Sequence, residues 1–183
     1  MALGLSGWKF ETPTPPYSKF VCIAVPHTSN YDGALILLLG RQIGLNFSWM
    51  VKDSIGNGPG GPLVRSMGGV PIDRSANHNM VDQMIAKFET IDDFVLLVPP
   101  EGTRRRADYW KSGFYHIAMG ANVPIVPGYL DYERKRGGFG PAIEATGNRK
   151  ADMDKIREFY DELKPVARYP HKVGPIRLRD EDG

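Results

Sequence analysis

Cysteine is almost missing from this chain of 183 residues: Cys22 is the single one, so no disulfide can form within it. It lies inside an apolar run, where a thiol behaves as a small buried hydrophobe, and no catalytic role follows for it. Long hydrophobic stretches are missing too. The longest, Ala34–Leu39, falls far short of the roughly 20 residues that span a bilayer, and the N-terminus shows no signal-peptide pattern, so the expectation is a cytoplasmic protein. Nor is there an excess of one charge, since a net +2 is too small for a nucleic-acid-binding face. His78, His116 and His171 have no partners at metal-ligand spacing, and the aspartates form no calcium loop, so no metal is expected. The glycine- and proline-rich stretch Gly56–Pro62 is followed by no Gly-Lys-Ser/Thr, which excludes a P-loop, and no Gly-x-Ser-x-Gly elbow is present.

What is there has the size and composition of one globular domain over residues 1–183, with 42% hydrophobic and 24% charged residues. Strands are predicted at Lys19–Val25, which stops at Pro26, and at Phe47–Val51, Val70–Ile72, Phe94–Val98 and Val123–Leu130. Helices are predicted from Tyr31 to Ile43 with Gly44 as the stop, and at Asn79–Phe88, Ser112–Ala121 and Asp152–Leu163. Gly56–Pro62 reads as a loop without regular structure. The alternation of the two kinds of element implies an α/β fold, a mixed β-sheet flanked by helices. Arg134–Gly138 reads as a turn joining two strands, which makes part of the sheet antiparallel. The motif-bearing core covers about residues 18–145, while residues 1–17 and 165–183 are expected to be irregular.

Three polar segments follow strands. In His27-Thr28-Ser29-Asn30-Tyr31-Asp32 an imidazole leaves a strand and a carboxylate stands five positions on, where a helix begins. If Asp32 accepts a hydrogen bond from one ring nitrogen, the other is free to take a proton from a hydroxyl. With no serine elbow and Cys22 inside its strand, the nucleophile is then the substrate's own hydroxyl, and transfer is direct. The competing reading makes Ser29 the helix cap and Asp32 its support three residues later. The second segment is Gly68 to Arg74 and the third Pro100-Glu101-Gly102-Thr103-Arg104. Either arginine presents a planar fork of donors suited to phosphate, Gly102 admits close approach to the backbone and Thr103 adds a hydroxyl. The competing reading is an ion pair of Arg74 with Glu101 or Asp73.

Taken in order from about Phe20 to Leu130, these segments resemble the glycerolipid acyltransferase family that includes lysophosphatidate acyltransferase. His27 to Asp32 resembles its His-x-x-x-x-Asp block, Gly68 to Arg74 its second, Pro100 to Arg104 its third, and Val123-Pro124-Ile125-Val126-Pro127-Gly128 its fourth, on the acyl-donor side. The resemblance implies a glycerol-3-phosphate acyltransferase-like fold. It also implies that His27 deprotonates an acceptor hydroxyl and Asp32 orients it, while Arg74, Glu101, Gly102, Thr103 and Arg104 position the acceptor's phosphate. The donor would be acyl-CoA or acyl-carrier protein, a co-substrate rather than a cofactor, and the acceptor a glycerophosphate such as lysophosphatidate, in phospholipid biosynthesis. Many relatives carry hydrophobic N-terminal segments that bring them to the membrane. For Trp8, Tyr109 and Trp110 beside Arg104–Arg106 and Lys111 two readings stand: a peripheral patch that touches anionic lipid and, the commoner case for such aromatics, packing on their own domain. Two alternatives stand beside transfer: a thioesterase-like hydrolase in which His27 activates water, and a module that binds phosphate or anionic lipid without turnover.

Overall fold

A computed structural model of the chain describes residues 7–73, 77–179 and 181, with the backbone alone at 77–79. Its centre is the strand β2 (Lys19–Val25), which follows a two-residue β1 (Lys9–Phe10). The remaining strands are β3 (Phe47–Lys52), β4 (Gly69–Ile72), β5 (Phe94–Val98), β6 (Ile125–Asp131) and β7 (Arg136–Phe139). The helices are α1 (Asn30–Gln42), α2 (Asp53–Gly56), α3 (Gly61–Ser66), α4 (Asn77–Thr90), α5 (Gly113–Ala121) and α6 (Arg149–Leu163), and a 3-10 turn covers Pro170–Lys172. The seven strands form one mixed sheet in the order β1-β7-β6-β2-β5-β3-β4.

Central strands covered on both faces carry apolar side chains at nearly every position, and β2 and β5 are built that way. Alternate residues serve opposite layers. Val21, Ile23 and Val25 of β2 pack with Leu96 and Val98 against Met84 of α4, Phe114 of α5 and Ile156 of α6. Phe20, Cys22 and Ala24 pack with Val95 and Leu97 against Leu35 and Leu39 of α1 and against Trp8. The expected α/β architecture is therefore a sheet between two layers of helix.

Five neighbouring strands, β4, β3, β5, β2 and β6, run parallel, while β7 is antiparallel to β6. Their C-terminal ends open on one edge of the sheet, the place where α/β folds gather binding groups. Register does the rest. Val25 lies opposite Tyr129 and Ile23 opposite Val98. Beyond the strand ends three loops meet around His27, whose N–H donates to Glu101, while Tyr132 donates to Asp32.

Several boundaries differ from expectation. Gly56–Pro62 is not free of regular structure: α2 ends at Gly56 and α3 begins at Gly61 with Pro62 in its first turn, where a missing N–H costs nothing. The antiparallel pair exists, but its turn occupies 132–135 and β7 already includes Arg136 to Gly138. Two backbone amides of that turn, those of Glu133 and Arg134, donate to the buried Asp131 carboxylate at 3.0 Å each. Helix α1 stops where it should, at Gly44 with φ +77°. The N-terminal arm is not wholly irregular, because β1 pairs with β7 and buries Trp8. Among its described residues the C-terminal segment forms only the 3-10 turn Pro170–Lys172, yet it is tied down by Tyr132 N to Val166 O at 2.8 Å, by Trp110 N to Arg177 O at 2.7 Å and by a bridge between Trp110 and Leu178.

Candidate active site

His27 is the second residue beyond β2, half-buried, with its ring over the first turn of α1; a methyl group placed on Gly33 would lie 3.8 Å from its Cε1. Its main-chain N–H donates to Glu101 Oε1 at 3.3 Å. Burial pulls the imidazole below its ordinary range, the charge of Asp32 works the other way, and Arg104 lowers it further. The ring is thus neutral near pH 7, the form that accepts a proton.

Asp32 is 2% exposed and holds its charge through neighbours. Oδ2 accepts the N–H groups of Thr28 at 2.6 Å and Ser29 at 2.8 Å, and the Thr28 hydroxyl at 3.2 Å. Oδ1 accepts the hydroxyls of Ser29 at 2.7 Å and Tyr132 at 2.5 Å. Burial pushes the carboxyl up, but the bonds from Tyr132, Ser29 and Thr28 outweigh it and hold it below the usual carboxylate range. The expected hydrogen bond from the His27 ring is not among these. As the third residue of α1, Asp32 folds back onto the amide of the capping residue Ser29, and its lone pairs are filled there. The helix-cap reading is the one the geometry realises, and toward the imidazole Asp32 contributes its charge rather than a hydrogen bond.

The third segment turns tightly, with Gly102 N bonded to Pro99 O at 3.1 Å and Gly102 at φ +63°. A side chain at Gly102 would strike Lys111 at 2.8 Å, so glycine makes room for that lysine. Thr103 Oγ1 accepts from Arg105 N at 3.2 Å, which leaves its hydroxyl proton available. Arg104 reaches to the first turn of α1 and donates to Asn30 Oδ1. Glu101 stands apart from these rim groups. It is buried against the His27 backbone, its Oε2 has no partner, and burial pushes it up to about 7 against the lowering effect of its own N–H and that of His27. Arg74 lies outside the described residues. The strand before it is placed, and Asp73 N donates to Gln83 Oε1 at 3.2 Å.

Of the two readings for the aromatics, packing on their own domain is the one the structure shows, and no lipid-facing patch is assembled from them. Trp8 is 7% and Trp110 3% exposed; Trp8 packs edge-on against Tyr132 at 5.0 Å, and Tyr109 lies under Arg177 at 4.5 Å. Sequence reasoning missed Tyr132, Arg168 and Lys172. The last two belong to the C-terminal segment that crosses the His27 loop: Arg168 stacks over Tyr31 at 4.4 Å, and Lys172 Nζ lies 3.4 Å from Thr28 O. Their only sequence signal was cations interleaved with aromatics in Arg168-Tyr169-Pro170-His171-Lys172. Beside the loop, a cavity of about 720 Å³ lies between that segment, α6 and the third segment, lined by Pro26, Glu101, Trp110, Tyr160, Val173 and Leu178 among others.

Comparison with known proteins bears on the fold and the family. The fold is similar to that of the 1-acyl-sn-glycerophosphate acyltransferase PlsC from Thermotoga maritima, with a TM-score of 0.57, 20% sequence identity, and coverage of 88% of this chain and 73% of that one. A search of curated proteins found no match. A family model described as Acyltransferase matches residues 9–131, more than half of the chain and the span that holds His27, Asp32 and Glu101 to Arg104. The chain belongs to the acyltransferase family.

Proposed function

We propose that the protein transfers a fatty acyl group from acyl-CoA or acyl-carrier protein to a hydroxyl of a glycerophosphate-type acceptor such as lysophosphatidate. One arrangement carries the reading: His27, whose imidazole burial holds below its ordinary range, stands beside the buried, ionised Asp32 with Arg104 at the same loop, and neither Cys22 nor Ser29 is free to act as nucleophile. The Cys22 thiol is fully buried and pushed up by burial, and the Ser29 hydroxyl is spent on Asp32. The substrate must bring the attacking oxygen.

In the reaction His27 takes the proton of the acceptor hydroxyl as its oxygen adds to the thioester carbonyl. The imidazolium so formed is stabilised across space by Asp32, whose own bonds keep it ionised. The tetrahedral adduct collapses, the C–S bond breaks, and the proton passes from His27 to the departing thiolate. A base so placed contributes about 10² to 10⁴ in rate, and positioning must supply the rest. Arg104, Gly102 and Thr103, with Arg74, hold the acceptor's phosphate, while Glu101 fixes the His27 backbone from behind. The thioester is a co-substrate, and no resident cofactor is required. No helix among the described residues is long and apolar enough to cross a membrane, so a lysophospholipid would be met at the membrane surface, as a peripheral contact.

The test follows thiol release from acyl-CoA and from acyl-carrier protein with a panel of alcohols that includes lysophosphatidate and glycerol 3-phosphate, with products identified by mass. Release that requires an acceptor and yields its ester supports transfer. Release without an acceptor identifies a hydrolase in which water takes the hydroxyl's place.

A further inference from the structure

Arg168 and Lys172 lie beyond residues 9–131, the span of the family match, yet they touch the loop that follows His27. The segment bearing them is fixed at both ends by the main-chain bonds of Val166 and Arg177, and Arg106 donates to Val173 O between those points. Three cations from two distant parts of the chain thus converge on four consecutive residues. Lys172 meets Thr28, Arg104 meets Asn30, and Arg168 meets Tyr31.

What they face is neutral. Lys172 Nζ contacts a carbonyl and the Tyr169 ring at 4.4 Å, Arg104 an amide oxygen, and Arg168 the rings of Tyr31 and Tyr169 and the Tyr132 hydroxyl. None of the three is ion-paired with a carboxylate among the described residues, whereas Arg134, Arg136 and Arg157 each have one. The two nearby carboxylates are engaged elsewhere, Asp32 by its five donors and Glu101 by the His27 N–H. Arg104 and Arg168 are exposed and Lys172 is half-buried, so solvent screens much of their mutual repulsion, and an anion bound among them removes what remains. Two guanidiniums and an ammonium make a donor set suited to phosphate oxygens.

We propose that the C-terminal segment adds Arg168 and Lys172 to Arg104 as a binding site for a phosphate group of a substrate, held over the His27 loop. The inference rests on the acyl-transfer reading and extends it to the segment outside the family match. The phosphate could enter on the acceptor or on the CoA of the donor, and both offer the same chemistry. With lysophosphatidate as acceptor, the double variant Arg168→Gln/Lys172→Met raises KM by about tenfold per cation lost, in line with removing a charge-assisted hydrogen bond, and leaves KM for the uncharged monoacylglycerol within about twofold. If the phosphate is the donor's, the rise falls on acyl-CoA and is absent with an acyl N-acetylcysteamine thioester, which has no phosphate. The variant Arg168→Lys/Lys172→Arg keeps both charges and retains most of the affinity.

Calorimetric titration with glycerol 3-phosphate and with CoA reads binding without turnover. A parent that releases no thiol, but binds one of these probes more weakly in the double variant, overturns acyl transfer and leaves the phosphate site standing. An active parent whose double variant keeps its KM and probe affinity for every phosphorylated ligand overturns the site. Equal loss with phosphorylated and uncharged substrates overturns it as well, since that is the mark of a segment that only holds the loop in place. Should the double variant fail to fold, Lys172→Met alone, which loses one contact to a carbonyl and one to the Tyr169 ring, carries the same comparison.

Discussion

Tyr132 donates its hydroxyl to Asp32 Oδ1 at 2.5 Å across 100 positions of sequence, and in doing so couples the end of β6 to the first turn of α1. Burial and the Asp32 carboxylate push the phenol up, out of the range in which it ionises, so it serves as a permanent donor. Trp8 packs against one side of the ring, and Arg168 approaches its hydroxyl.

Tyr132→Phe tests that coupling. The change removes the first of the bonds that lower Asp32, so its carboxyl titrates at higher pH in the folded protein. A depressed carboxyl contributes stability that is present above its unfolded value and lost as pH falls through its folded value. The variant is therefore less stable at neutral pH by about 1.5 to 3 kcal/mol, and its acid unfolding begins at higher pH. Urea unfolding of both proteins at pH 7 and pH 4 measures this. Equal midpoints at pH 7 would mean that the bond contributes nothing.

Arg104 should govern the acid limb of the rate profile. Burial holds His27 below the ordinary histidine range, with Arg104 adding to the depression, so kcat/KM, which reports the free enzyme, rises to a plateau through a pKa lower than that of a free histidine. Arg104→Gln removes one lowering charge and moves the limb to higher pH. A limb that stays in place while KM rises would confine Arg104 to substrate binding.

Glu101 predicts the opposite slope. Its carboxyl is raised from 4.5 to about 7, so the stability it contributes is complete below its unfolded value and lost as pH rises through about 7. Thermal stability of the parent should fall over that window more steeply than that of Glu101→Gln, which cannot ionise. Parallel stability curves for the two proteins between pH 4.5 and pH 7.5 would show that the carboxyl is not held neutral by its surroundings.

Local signals made part of this site legible. Pro26 stops a β-branched strand, His27 and Asp32 are separated by a single loop, and the glycine turn at Gly102 precedes Arg104, so their placement at one sheet edge follows from strand order and short spacing. Tyr132 was illegible because its neighbour is decided by β6 pairing with β2, a non-local choice with no mark in the residues around it. Trp8 and Trp110 left two readings open, because an aromatic bound for the core and one bound for a membrane surface look alike in a short window, and burial decides for the core. Pro62 misled for a related reason: a residue that breaks a helix interior also suits a helix start.

The central claim is that His27 is the base. Acceptor-dependent thiol release by His27→Ala, compared with the parent at saturating substrates and with circular dichroism matched, tests it most directly. The account predicts a fall of about 10² to 10⁴ in kcat with the fold intact. A folded His27→Ala protein that turns over at the parent's rate would contradict it.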